Sequence, residues 1–166
     1  MPDREKKTNV IDYSLVVKVS DKANILNVAL IQSSFFRKPE TNRVKLSLEI
    51  ESNVKFEVDK KNSVIMVFPE FRLDGFPEKA EAEKVEPLLH IEAIFVLVYK
   101  VSSLTGLKEE NFKAFANANG IFNAWPYWRE FVQNTVVRMA LPPLTIPAFH
   151  ISQTKKQTKK TVKKKS

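Results

Sequence analysis

The side chains best suited to act as a general base in this chain are its two histidines, His90 and His150. A catalytic histidine needs a nucleophile or a metal ion within hydrogen-bond reach, and no motif around either residue supplies one. His90 also falls in an apolar segment with the character of a strand, which is typical of a structural histidine. The chain contains no cysteine, so thiolate nucleophiles, disulfides and cysteine-ligated zinc are excluded.

Four carboxylates lie close enough in sequence to suggest an acid–base pair or a metal site: Glu49, Glu51, Glu57 and Asp59. All four occupy odd-numbered positions in a segment whose even-numbered positions are apolar. This alternation places them on the solvent-facing side of a strand. The chain has only three glycines, and none of them belongs to a phosphate-binding loop. We therefore predict that the protein is not an enzyme and that it has neither a cofactor nor a metal site.

The elements that position these residues are predicted to be four strands, at 26–37, 43–59, 63–74 and 88–101. The second has strict alternation of apolar and polar residues, which predicts one buried and one wet face. The turn at 60–62 predicts that the second and third strands form an antiparallel hairpin. Pro69 indicates that the third strand is an edge or carries a bulge. The continuous apolar run at 94–98 predicts that the fourth is buried on both faces.

Helices are predicted on both sides of these strands. Residues 11–23 fit either a helix, from their four-residue apolar spacing, or a strand, from their valines, and we favour the helix. After the strands, Thr105 is expected to cap a short helix that ends at Asn119 and at a left-handed Gly120. A long helix is then expected from 123–126 to about Ala140, with Pro126 in its first turn. Strands followed by helices indicate an α+β fold with one antiparallel sheet.

Two segments have a more specific amino-acid sequence than helix or strand periodicity requires. They read P-Y-W-R-E-F at 126–131 and L-P-P-L-T-I-P at 141–147. They resemble the SecB family of chaperones, in which a P-Y-x-R-E helix opening leads, after the helix, to an F/L-P-x-L loop. The resemblance is strongest over residues 108–151. This sequence looks more similar to the SecB-like chaperones that accompany some toxin–antitoxin systems than to the export chaperone. It implies a four-stranded antiparallel sheet followed by a short and a long helix, assembled as a homotetramer of two dimers.

The resemblance also implies a site and a mechanism. A SecB-like protein holds unfolded clients, either preproteins for export or an antitoxin, on an apolar groove and without ATP. Carried over to this sequence, the groove would contain Leu141, Pro142, Leu144, Ile146 and Pro147 from the proline loop and, by element order, Phe35, Phe36, Leu46 and Leu48. The long helix would pack subunits through Trp128, Phe131, Val132 and Thr135.

The charge distribution separates this chain from the export chaperone. Residues 152–166 hold seven lysines and no acid, and taking these seven from the 27 basic residues leaves 20, against 19 acidic residues. Export SecB is acidic and presents carboxylates to the motor ATPase SecA, so a nearly neutral body with a basic tail argues against docking to SecA. The second amphipathic helix that usually follows the proline loop is also not expected, because the tail has almost no apolar residues.

The expected organisation is a disordered start at 1–9, one SecB-like domain at 10–151 and a disordered lysine-rich tail at 152–166. The polar start and the absence of a long apolar run predict a cytoplasmic protein. An alternative function is weak, salt-dependent binding of nucleic acid or another anionic surface through the lysine tail.

Overall fold

A computed structural model describes residues 11–78 and 86–149 of the chain. Its elements are α1 (Tyr13–Ser20), β1 (Ala23–Arg37), β2 (Leu46–Asp59), β3 (Val64–Pro77), β4 (Leu89–Val101), α2 (Glu109–Phe115) and α3 (Ile121–Arg138). The predicted disordered start, the lysine tail and His150 lie outside the described residues. Among the helices described, none has the length and apolar character to cross a membrane.

The four strands form one antiparallel sheet in the order β1-β4-β3-β2. The predicted α+β fold, with its hairpin of β2 and β3, is therefore confirmed. The core lies on one face of the sheet, where α2 and α3 cover alternate residues of the two central strands. Ile65 and Phe71 of β3 and Leu97 and Tyr99 of β4 belong to this buried set. Burial raises the pKa of Tyr99 to about 12, although a hydrogen bond donated by Asn123 opposes the shift.

Two sequence-based predictions about the central strands were wrong. β4 alternates between buried and half-buried residues, because the described helices cover only one of its faces. β3 is an inner strand without a bulge, although it contains Pro69. Pro69 pairs with Val54 of β2, while the pairing with β4 passes from Val67 to Glu70 without a change of register. The fold therefore accommodates the missing N–H as a local gap in one ladder.

The two outer strands are unusually apolar for strands with so much exposed surface. β1 leaves Leu26 63% exposed and Phe35 52% exposed, and it contains two register shifts against β4. β2 has the predicted alternation, but its apolar side is only partly covered, with Leu48 and Ile50 each 38% exposed. An edge strand with exposed apolar side chains is a surface suited to binding another chain.

The first two helices begin at specific capping residues. α1 confirms the favoured interpretation of its segment and starts where an Asp12 carboxylate accepts the backbone N–H of Ser14. α2 starts after Lys108, and the Asn111 side chain accepts the N–H of Lys108. The prediction of Thr105 as the cap was therefore wrong. Glu109 and Glu110 do occupy the first turn, where the helix dipole favours negative charge.

The expected break at Asn119 and Gly120 was also wrong. Residues Ala116–Gly120 form one turn of π-helix that joins α2 to α3, and Gly120 has a helical φ of −61°. A Cβ atom at Gly120 would lie 2.5 Å from Cγ1 of the buried Val67. The glycine is therefore required by a close approach of the helix to β3, not by a left-handed turn. Because α3 already begins at Ile121, Pro126 lies inside the helix and not in its first turn.

Candidate functional site

An open apolar groove of about 530 Å³ lies where the start of β2 meets the end of α3 and the proline loop. We call it the loop groove. It is lined by Thr41, Asn42, Val44, Leu46, Leu48, Leu89, Val136, Ala140, Leu141, Pro142, Pro143 and Leu144. None of these lining residues carries a charge. The groove stays open because β2 is an edge strand, so no other strand among residues 11–78 and 86–149 covers Leu46 and Leu48 from the outside.

The floor of the loop groove depends on a glycine in the neighbouring strand. Gly75 of β3 pairs with Leu48 on one side and with Leu89 on the other. A Cβ atom at Gly75 would lie 3.1 Å from both Leu46 Cδ1 and Leu89 Cβ. The absence of a side chain at Gly75 therefore lets the leucines of β2 and β4 approach each other beneath the groove.

The proline loop is held to α3 beyond the groove. The Arg129 side chain donates a hydrogen bond of 2.8 Å to the carbonyl of Ile146, and Trp125 Nε1 donates one of 2.9 Å to the carbonyl of Pro147. The Ile146 side chain is buried in the core, and Phe149 packs against the Trp125 ring. The loop is thus a fixed wall of the groove.

The turn from α3 into the loop is a Schellman motif. Leu141 N–H donates to the carbonyl of Val136, and Ala140 N–H donates to the carbonyl of Val137, both at 3.0 Å. Ala140 itself has a φ of +56°. This left-handed conformation costs a non-glycine residue about 1–2 kcal/mol. The long helix was predicted to end at about Ala140, and this motif ends it there, two residues before Pro142.

Replacing Ala140 with glycine should therefore stabilise the protein. We expect the free energy of unfolding to rise by about 0.5–1 kcal/mol, because the relief of backbone strain exceeds the extra entropy that glycine gives the unfolded chain. The midpoint and slope of urea unfolding measure the change. Ala124→Gly is the matched control, since Ala124 is buried within α3 and the same substitution there should destabilise. A lower stability for Ala140→Gly would contradict the strain.

The structure brings five of the nine predicted groove residues together and places the other four elsewhere. Those that line the loop groove are Leu46, Leu48, Leu141, Pro142 and Leu144. Ile146 is buried in the core, and Pro147 is outside the groove. Phe35 and Phe36 lie near the end of β1, the opposite edge strand from β2, and point to opposite faces of the sheet. Phe36 stacks on His90 with ring centroids 5.3 Å apart.

The four residues predicted to pack subunits lie mainly inside this chain. Trp128, Val132 and Thr135 are buried, and only Phe131 keeps exposed surface. Trp128 stacks on Phe71 of β3 with ring centroids 5.5 Å apart. These residues hold α3 against its own sheet, as an apolar stripe on a helix usually does. The large apolar side chains that α3 does expose are Phe122, Tyr127 and Val137.

His90 belongs to a cluster of polar contacts at the end of β3 and the start of β4. Its Nδ1 lies 2.7 Å from Asp74 Oδ1, and Arg72 Nε donates to Asp74 Oδ2 at 2.6 Å. Both carboxylate oxygens of the buried Asp74 are thereby satisfied. Across the described part of the chain, no group of histidines and carboxylates has the arrangement needed to hold a metal ion. We interpret this cluster as a structural contact between β3 and β4.

Seven residues of the loop groove were not predicted from the sequence. They are Thr41, Asn42, Val44, Leu89, Val136, Ala140 and Pro143. Thr41 is held there by its hydroxyl, which donates to the carbonyl of Lys38 at 2.6 Å. Pro143 adjoins predicted loop residues and could have been included. The others come from separate elements, and no local pattern shows that they meet.

A solved structure of similar fold covers most of this chain. It is the Mycobacterium tuberculosis Rv1957 SecB-like chaperone in complex with a ChAD peptide from the Rv1956 HigA1 antitoxin, with a TM-score of 0.70 and 21% identity over 82% of this chain and 97% of that one. This chain has the SecB-like fold. The resemblance inferred from the two sequence motifs is confirmed at this level.

The other comparisons add little to the SecB-like fold. A protein of unknown function from Streptococcus agalactiae aligns over 76% of this chain and 97% of that one, at 9% identity and a TM-score of 0.36, which is too weak to support any inference. No family model matches the sequence, and the comparison with curated proteins finds no match.

Proposed function

We propose that this protein is an ATP-independent chaperone of the cytoplasm, a holdase that binds unfolded or aggregation-prone clients in the loop groove. It acts by binding and not by catalysis. The observation that carries the proposal is an uncharged apolar groove, bordered by an open edge strand, in a SecB-like fold. Apolar walls bind unfolded chains without sequence specificity, and the edge of β2 offers free backbone groups to an extended client.

The client class that the proposal favours is an antitoxin. The Rv1957 chaperone, which shares this fold, is bound to a peptide from an antitoxin. Preproteins are the other candidate clients. Docking to SecA is not part of the proposal, since the body of the chain outside the lysine tail is nearly neutral.

The same proposal includes a homotetramer built from two dimers. β1 supports this assembly, because it is an edge strand that exposes apolar side chains on both faces, among them Phe35 and Phe36. α3 also exposes Phe122, Tyr127 and Val137. Exposed apolar surface of this kind is typically covered by a partner subunit.

The function is tested by diluting a chemically unfolded client into buffer with stoichiometric protein and no ATP. We expect light scattering from the aggregating client to be suppressed for an antitoxin and for several unrelated proteins. If none is protected, the holdase proposal fails. Sedimentation of the same active preparation gives its mass, and a single-chain mass would contradict the tetramer.

Deletion of residues 152–166 is the control for the alternative function. The loop groove is built entirely from residues before the tail, so holdase activity should survive the deletion. Loss of client protection in the shortened protein would instead assign the binding to the lysine tail.

A further inference from the structure

A second groove lies toward the other end of β2, where the strand runs beside α2. We call it the lysine groove, and its volume is about 710 Å³. Its apolar lining is Val54, Phe56, Val58, Leu107 and Phe112, and its other lining residues are Lys55, Lys60, Lys108, Glu109, Lys113 and Asn117. Phe56 and Phe112 are in contact, with ring centroids 6.5 Å apart. The floor is therefore a continuous apolar surface between strand and helix.

The rim of this groove is strongly positive. Lys60 comes from the turn after β2, while Lys108 and Lys113 come from the start and the last turn of α2. All three are exposed, and none of them forms an ion pair among the described residues. Glu109 offsets one of the positive charges. The result is an excess of free positive charge on both sides of an apolar floor.

The two grooves therefore differ in chemistry although both border β2. The loop groove has no charged lining residue, so it has no means of selecting clients by charge. The lysine groove has four lysines and one acid. An occupant that matches it needs apolar side chains for the floor and carboxylates for the rim. A nucleic acid would pair with the lysines but would leave the apolar floor unmatched.

We propose that the lysine groove binds client segments in which apolar residues are flanked by aspartate or glutamate. This inference rests on the proposed holdase function and adds a client preference to it. Segments with lysine or arginine flanks are repelled from this groove and bind only in the loop groove. The preference is electrostatic at an exposed rim, so it weakens as salt is added.

The test compares two fluorescent peptides with one apolar core, the first flanked by aspartate and glutamate and the second by lysine. Their binding to the full-length protein is measured by fluorescence anisotropy. At low salt we expect the acidic peptide to bind about tenfold more tightly, which is what three exposed charge pairs can contribute. At about 0.5 M salt the two affinities should converge.

Two triple variants, each of which removes three positive charges, show which lysines cause the preference for the acidic peptide. Lys60→Gln, Lys108→Gln and Lys113→Gln combined should abolish it, since these exposed side chains can be changed without disturbing the core. The control combines Lys155→Gln, Lys159→Gln and Lys163→Gln in the tail and should keep the preference. The opposite pattern, in which only the tail variant loses it, would overturn the proposal.

Three further outcomes are informative. Equal affinity of the wild-type protein for both peptides would overturn the client preference proposed for the lysine groove. The proposed holdase function would not be affected by this result. Binding of neither peptide would overturn the holdase function itself. Displacement of the acidic peptide by a single-stranded oligonucleotide of equal charge would show that the lysines bind phosphate, and this would also overturn the proposal.

Discussion

A chain carrying both Leu48→Asp and Leu144→Asp should bind an unfolded client about a hundredfold more weakly than the wild-type protein. The two leucines face the loop groove from different walls, β2 and the proline loop. Each substitution removes part of the roughly 1.5–3 kcal/mol that a buried leucine contributes, and it adds the cost of desolvating a carboxylate. A combined loss of about 3 kcal/mol corresponds to the hundredfold change. Titration of a labelled unfolded client measures it.

The control for this double variant is Val17→Asp. Val17 is 48% exposed on α1, on a surface that does not line the loop groove. Val17→Asp therefore introduces a carboxylate at an exposed apolar position without changing the loop groove. We expect near wild-type affinity from it. Equal weakening by Val17→Asp would mean that general charge, and not the groove, determines client binding, and an unaffected double variant would place the client elsewhere.

Gly120→Ala should lower the free energy of unfolding by about 2 kcal/mol. Helix propensity alone predicts the opposite sign, because alanine is better than glycine by about 1 kcal/mol at a helical φ. The new Cβ, however, would lie 2.5 Å from Val67 Cγ1, and the Val67 side chain is fully buried. Overpacking of this kind costs about 1–3 kcal/mol and sometimes more, so the steric cost exceeds the propensity gain. Urea unfolding gives the value.

A double-mutant cycle with Val67→Ala tests the cause. Val67→Ala removes the clashing methyl groups and leaves a cavity, so it destabilises alone. In its presence Gly120→Ala fills part of that cavity and should become neutral or stabilising. If the two substitutions destabilise independently and additively, the close approach of the π-turn to β3 is not the reason for the glycine.

The order of elements was readable from the sequence because each depends on local periodicity. The strict alternation in β2 and the four-residue spacing in α1 are confirmed as a strand and a helix. The errors at Pro69 and Gly120 have a common physical origin. An Asn-Gly pair normally ends a helix, but here the close approach to Val67, which is distant in sequence, determines that a glycine stands at position 120. A proline normally marks an edge strand, but here β3 is held between β2 and β4 by pairing with residues that are distant from Pro69 in sequence.

The candidate site was predictable only where one continuous segment forms it. The proline loop supplied Leu141, Pro142 and Leu144, and Leu46 and Leu48 followed from element order. Thr41, Leu89 and Val136 could not be found, because they meet these residues only through the strand order and the angle of α3. Phe35 and Phe36 could have been separated in advance, since consecutive strand residues point to opposite faces.

The anchoring of the proline loop has a consequence for how binding free energy is distributed. With Ile146 buried and the carbonyls of Ile146 and Pro147 bonded to Arg129 and Trp125, the loop that forms this wall is fixed to the body of the protein. In the binding that we propose, the protein loses little conformational entropy, and almost all of the ordering cost falls on the client. Differences in affinity between clients should therefore follow the flexibility of the client segment as well as its apolar content.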